Sequence, residues 1–361
     1  MQVAVSVIDE LSRLPDRSAD LTILASDEVH ADLQLLGCDL SKFSDYQIFN
    51  TYGLSTLWSG LGSKVRGHHV VFTLFGPLYL ASVPSVSIVG FAQAWIIYPK
   101  NEIYRSFTAF RKLTSRLKFF SQALVFKRAD RLVVELKHVK DQLAGRGVAD
   151  AGRIDVVHNS LSTVYLYPEK WKPLHAEIAK TRFSIGFVGR DYPHKNTNLF
   201  PQIKKLLHDL HGLSVDFYVT FNAEEWAAKT EFFRASINNV GVLYSAQCPT
   251  FYQQMDAVIF PSFLECFSAT PLEALVMEKP LFASDRGFIR DVCGDYARYF
   301  NPEDPGAAAD MIAEYINNHA GRDGAQLAAA REHVIEFSNA GQRAVDYLRL
   351  MQAVATGRSR A

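Results

Sequence analysis

The stretch FPSFLECFSATPLEALVMEKPLFAS, Phe260 to Ser284, decides how this chain is read. A short apolar segment ends at Pro261-Ser262, a loop carries Glu265, and a helix is expected to open at Thr270-Pro271 with Glu273 in its first turn. Two carboxylates flank a run of small residues whose backbone amides can face a ligand. A helix N-terminus offers unpaired N–H groups and the positive end of the helix dipole, so the layout suits a phosphate. The carboxylates can then accept hydrogen bonds from sugar hydroxyls. Taken alone, Thr270-x-x-Glu273 is a capping box with proline at N1, and Glu265 is a solvated loop carboxylate.

A second segment, SIGFVGRDYPHKN from Ser184 to Asn196, makes the first more than a cap. Ile185 to Val188 is short enough for a buried strand. Gly189, Arg190 and Lys195 follow it, past the strand's C-terminal end, where open α/β sheets bind ligands. Two cations here and a helix N-terminus further on can hold a diphosphate without metal. No Asp-x-Asp pair follows a strand to suggest metal coordination.

With these two segments the chain resembles family 4 glycosyltransferases, retaining enzymes of the bacterial polysaccharide type with the GT-B fold. Their second domain carries Gly-Arg-x4-Lys after a strand and a later Pro-Ser…Glu-x7-Glu segment. Here these are Gly189-Arg190…Lys195 and Pro261-Ser262…Glu265…Glu273. The resemblance is strong over residues 155–315. It implies two Rossmann-like, doubly wound parallel-sheet domains facing a cleft. It also implies transfer of a hexose-type sugar from a nucleotide-diphosphate sugar to a glycan or lipid-linked glycan, in the synthesis of surface polysaccharide. Arg190, Lys195 and Glu265 would be catalytic. Gly189, Cys266, Phe267, Ser268, Ala269, Thr270 and Glu273 would bind the donor, with no cofactor and no metal. Donor-base selectivity would lie near Val242 to Gln247. Two other classes stay open: a non-catalytic nucleotide-sugar-binding relative, and a non-hydrolysing sugar-nucleotide epimerase.

Composition is compatible with this and excludes little. At 361 residues the chain can build two cores. Its 38 basic and 38 acidic side chains give no global field for nucleic acid. Cys38, Cys248, Cys266 and Cys293 lack metal-ligand spacing and read as free thiols in a reducing, cytoplasmic setting. Met1 runs straight into a charged amphipathic segment with no signal peptide. Residues 70–99 hold no Asp, Glu, Lys or Arg. Pro77, Pro84 and Gly90 interrupt that run, so VVFTLF and SVSIVGF are expected as two buried parallel strands rather than a membrane helix.

Alternating strands and helices predict a first domain over 1–160, a linker over 161–180, a nucleotide-sugar domain over 181–326, and a helical stretch over 327–361 that crosses back to the first domain. Strands are expected at LTILAS, VVFTLF, SVSIVGF, RLVVEL and RIDVVHNS in the first domain. In the second they fall at IGFVG, VDFYVTF, VGVLY, AVIFPS and PLFAS. Val3, Val7, Leu11 and Leu14 recur at helical spacing, so the chain begins on a helix where relatives begin with a strand and a glycine-rich loop. That reads either as a truncated or misassigned start, or as a first domain that lacks its first strand and a loop approaching the donor phosphates. Many relatives carry a histidine or aspartate after the strand that ends here as IVGFAQAW. This chain has Gln93, which cannot act as a general base, and no base is assigned.

Residues 100–128 carry eight Lys/Arg and one Glu in a chain that is neutral overall. Ile103, Phe107, Phe110, Leu113, Leu117, Phe120 and Leu124 are expected on one helical face, with Arg105, Arg111, Lys112, Arg116 and Lys118 opposite. Two readings fit. The helix can lie on an anionic membrane surface, peripheral to the inner face of the plasma membrane, or its apolar stripe can pack on the sheet.

Overall fold

The computed structural model describes residues 2–14, 20–80, 85–175, 178, 180–337 and 339–358. Pro84 and part of the expected linker lie outside them. The chain divides into two units. One comprises residues 1–97, 111–160 and 339–361, the other residues 98–110 and 161–338.

Among the described residues, the first unit holds six parallel strands in two sheets. β1 (Thr22–Ala25) pairs with β2 (Asp45–Ile48), and β3 (Val70–Thr73), β4 (Val86–Gly90), β5 (Arg131–Val134) and β6 (Ile154–Val156) form the second sheet in that order. β4 is buried at every position, as expected of a parallel strand covered on both faces. VVFTLF and SVSIVGF thus form β3 and β4, and no helix among the described residues is long and apolar enough to cross a membrane. β2 was not anticipated: its sequence DYQI has no apolar alternation and is half or fully exposed.

The helix Gln2–Ser12 buries Val5, Val7, Ile8 and Leu11 in one cluster with Ala344, Tyr347 and Leu348 of the helix Ala340–Arg358. Arg343 of that second helix is 2 % exposed and donates to Ser6 Oγ at 2.8 Å and to Asn159 Oδ1. Glu135, just past β5, shares this pocket. Burial pushes its carboxyl up to about 7, against the opposing pull of Arg343 and a hydrogen bond from Asn159.

The second unit is one six-stranded parallel sheet. Its strands are β7 (Phe183–Phe187), β8 (Val215–Val219), β9 (Asn238–Asn239), β10 (Ala257–Phe260), β11 (Leu281–Ser284) and β12 (Arg298–Phe300), in the spatial order β12-β11-β10-β7-β8-β9. The order reverses between β7 and β10, which pair through Ala257 with Ile185 and Val258 with Gly186. A reversal of this kind opens a crevice at the strands' C-terminal ends. Phe187, Phe200, Phe217, Phe221, Phe251, Phe260 and Phe282 are fully buried around this sheet. A side chain at Gly186 would sit 2.6 Å from Met255 Cγ and 2.8 Å from Phe251 Cε1, so glycine lets the helix Cys248–Gln254 lie close on β7.

Two expectations fail here. VGVLY is irregular, with Val242 and Tyr244 exposed, and the edge strand is the dipeptide just upstream, β9. β12, only three residues long and opening on Arg298, carried too little apolar signal to be seen.

Candidate donor site at the sheet reversal

Both segments singled out in the sequence leave the C-terminal ends of neighbouring strands at the reversal. After β7 the chain turns at Gly189, whose φ of 153° disfavours any side chain and whose N–H donates to Thr220 Oγ1 at 3.0 Å. Residues Pro193–Lys195 make one tight helical turn that ends on Asn196 in the left-handed conformation. After β10 the loop 261–268 runs beside this turn, and Phe263 N donates to His194 O at 2.8 Å. The following helix, Ala269–Val276, is fastened to the end of β7 by Thr270 Oγ1, which donates to Val188 O at 3.2 Å.

The expected capping box is absent. The N-cap is Ser268, in extended conformation and without a side-chain cap, because Thr270 lies inside the helix and spends its hydroxyl on Val188. The first-turn amides therefore have no side-chain acceptor, the condition under which a helix start receives an anion. Phe267, Ser268 and Ala269 are half-buried there, and Cys266 is buried.

Lys195, Glu265 and His194 meet beside this helix start, while Arg190 is paired elsewhere. Lys195 Nζ lies 2.6 Å from Glu265 Oε1 with both side chains 13 % exposed, and 4.9 Å over the Phe260 ring. The pair is a charge contact without hydrogen-bond alignment, since Glu265 Oε1 has no hydrogen-bond partner. His194 Nε2 is 3.6 Å from the same oxygen. Burial, helped by the charge of Lys195, holds His194 below its ordinary range, against the pull of Glu265. Arg190 is half-exposed and held by Glu225, whose Oε1 lies 2.6 Å from Arg190 Nε. Glu273 is enclosed. Tyr252 donates to its Oε2 at 2.9 Å, and burial raises its carboxyl above the usual carboxylate range, against hydrogen bonds from Tyr252 and Tyr165 and the charge of Lys195.

Three side chains that sequence reasoning missed shape the site. Lys229, only 6 % exposed at its side chain, donates to Asp191 Oδ1 at 2.7 Å, Asn198 Oδ1 at 2.8 Å and Thr197 Oγ1 at 3.0 Å. One ammonium thus ties both ends of the loop that carries Arg190 and Lys195. Glu225 accepts from Arg190, from Asp191 N at 3.1 Å and from Asn222 N at 3.0 Å, so it caps its own helix and aims the arginine. Tyr98 is coupled by charge to Cys266 and Glu265, and burial raises its hydroxyl's pKa. Nothing in WAAKTEFF or NAEEW marks Lys229 or Glu225 as special, because their partners lie up to 38 residues away.

Past the ends of β8 and β9, an open groove of about 570 Å³ is lined by Phe221, Asn222, Trp226, Asn239, Gly241 and Val242. Gln93, in the first unit, donates to Gln122 Oε1 at 3.3 Å. No group of three or more His, Cys, Asp or Glu among the described residues is arranged to hold a metal ion.

Residues 174–333, which contain every element of this site except Tyr98, match the family described as Glycosyl transferases group 1. This stretch belongs to the group 1 glycosyltransferases. The O-antigen chain mannosyltransferase RfbU of Salmonella typhimurium is 27 % identical over 188 residues, 49 % of this chain and 48 % of that protein. The D-inositol 3-phosphate glycosyltransferase of Mycolicibacterium vanbaalenii is 26 % identical over 247 residues, 62 % of this chain and 53 % of that protein. The chain thus spans about half the length of the curated relatives it matches. Among solved structures, a glycosyltransferase from Rickettsia africae aligns over 97 % of this chain and 94 % of its own, with a TM-score of 0.67 at 15 % identity. Anabaena HepE in complex with UDP-glucose aligns over 99 % and 96 %, with a TM-score of 0.66 at 13 % identity. At such identities the likeness is one of fold, and the fold is GT-B.

Proposed function

We propose that the chain transfers a hexose-type sugar from a nucleotide-diphosphate sugar to a glycan or lipid-linked glycan in surface-polysaccharide synthesis, without a metal and with retention of configuration, as a family 4 enzyme. The observation that carries this reading is Lys195 against Glu265 beside an uncapped helix start at the reversal between β7 and β10, with Arg190 on the segment that leads to Lys195. The functions of the Salmonella and Mycolicibacterium relatives, and the UDP-glucose of the Anabaena complex, support the same class.

Breaking the bond between anomeric carbon and phosphate puts negative charge on the diphosphate and positive character on the sugar. Lys195 and Arg190, with the amides of Ser268, Ala269 and Thr270, would stabilise that diphosphate, most strongly as its charge grows in the transition state. Glu265 would exchange part of its contact with Lys195 for donor-sugar hydroxyls and sit near the developing positive charge. Glu273 would turn its second oxygen to the ribose. The groove past β8 and β9, beside the stretch Val242 to Gln247, is open enough for the base.

A thermal-shift screen with UDP, GDP, ADP and dTDP sugars tests this, because a ligand bound only by the native state raises its apparent stability. One donor class is expected to raise Tm and to give a transfer product with a glycan or lipid-linked acceptor. Stabilisation by none of them would remove the reading, and isomerised donor in place of a transfer product would replace it with epimerisation.

A further inference from the structure

The helix Ala109–Lys127 is built with two unlike faces, and the apolar stripe is on the outside. Phe110 is 77 % exposed, Leu113 57 %, Leu117 58 %, Phe120 64 % and Leu124 51 %. At 3.6 residues per turn these five fall within about 80° of arc. The opposite side is the one that packs. Phe119 stacks on Trp95 at 5.4 Å, Phe126 meets Phe91 at 4.8 Å, and Gln122 accepts from Gln93. The expectation that the stripe packs on the sheet is therefore reversed. Ile103 and Phe107, expected on the same face, precede the helix, and Ile103 is buried.

A large exposed apolar stripe marks an interaction surface, and the charges around it say which kind. Arg111 and Lys118 flank it on one side, Lys112, Arg116 and Lys127 on the other, with Arg128 at its end, and no acidic residue occurs from Ile103 to Ala129. A second copy docked through the same face in a two-fold contact would set these cations against their own images. A protein partner would need a matching acidic rim around an apolar trough. A bilayer with anionic headgroups supplies both at once: acyl chains for the stripe, and phosphates on either side for long basic side chains that reach the headgroup level.

We propose that the helix 109–127 lies in the plane of an anionic lipid surface, with Leu113, Leu117, Phe120 and Leu124 inserted and the two basic rows at the phosphates. This takes up the membrane reading of residues 100–128 and rests on the helix alone, not on the donor site. The test is flotation of the full chain with phosphatidylcholine vesicles and with vesicles containing 30 % phosphatidylglycerol (on the order of a bacterial inner leaflet's anionic charge). Wild type is expected to bind the anionic vesicles at least about tenfold more tightly, and to be released by salt. Leu117→Glu/Phe120→Glu is expected to lose at least about tenfold while keeping its Tm, since both positions are exposed. Equal binding by wild type and the double variant overturns the proposal, as does binding indifferent to phosphatidylglycerol. Light scattering that shows a dimer dissolved by the same variant also overturns it, in favour of a second copy. A chain that binds no vesicle yet still binds a nucleotide sugar loses this proposal and keeps the functional one.

Discussion

Each unit concentrates charge at the C-terminal ends of its strands, and the two concentrations are built for different ends. In the first, Arg343 is 2 % exposed and its hydrogen bonds run to Ser6 and Asn159, with Glu135 in the same pocket. The hydrogen bonds there run to protein groups, although Arg343 Nε has no partner among the described residues and Glu135 is only half-buried. In the second, Lys195 shares one oxygen of Glu265 at 2.6 Å, Arg190 stays half-exposed, and the neighbouring helix start has no side-chain cap. Charges in that unit have partners that a ligand can replace. A sealed cluster holds a structure together, and a cluster with displaceable partners can hold a substrate.

Substitution should separate the two by readout. The largest effect is expected from Arg343→Met, which leaves the buried Asn159 without its donor and the half-buried Glu135 without its opposing charge. Leaving a buried polar group without its partner typically costs about 1–3 kcal/mol, and more where the group is charged, so the urea midpoint should fall steeply. Nucleotide binding by whatever remains folded should be unchanged. A near-normal midpoint would mean that the cluster is not sealed.

Lys195→Ala is expected to invert that outcome. With saturating donor, turnover should fall on the order of 10²–10³, by analogy with loss of one preorganised oxyanion donor, while the stability change stays smaller. Arg190→Ala should do the same with less loss of stability, because Arg190 is half-exposed. Near-normal turnover in Lys195→Ala would show that this cation does not touch the leaving diphosphate.

Lys229→Met sits between the two kinds. Its ammonium is nearly as sealed as Arg343, yet the loop it ties carries both cations proposed for the donor. Stability should drop by about 1–3 kcal/mol as Asp191 and Asn198 lose their donor. Affinity for UDP, measured by calorimetry, should also weaken, and Lys229→Arg should restore part of both. Lost stability with unchanged UDP affinity would place Lys229 wholly with the structural charges.

How much of this could be read beforehand follows from how local each signal is. Gly189, Arg190, Lys195, Glu265 and Glu273 stand at fixed offsets from apolar runs, so strand ends and residue types located them. Lys229, Glu225 and Tyr252 act through contacts 21 to 38 residues away that no window contains. The capping box at Thr270 looked complete in sequence, and only the nearness of Val188 O shows why the hydroxyl points elsewhere. β2 and β12 are too short and polar for periodicity to find. For the helix 109–127, periodicity located the apolar stripe but could not say whether it faced the sheet or the solvent.

The smallest effect, and the finest probe of the sealed cluster, is its pH dependence. Burial raises the Glu135 carboxyl from an ordinary 4.5 to about 7. A carboxyl raised in the folded state binds its proton more tightly there than in the unfolded chain. Its contribution to stability is therefore complete below about pH 4.5 and is lost as pH rises towards 7. Wild-type Tm should fall across that window relative to Glu135→Gln, which cannot ionise. Glu273 in the second unit, also raised by burial, adds a slope of the same sign to both proteins, so the difference between the two profiles isolates Glu135. Parallel profiles would mean that Arg343 and Asn159 outweigh burial and keep Glu135 ionised. The first unit's cluster would then be a buried salt bridge, closer in kind to Lys195 and Glu265 than its lack of exposure suggests.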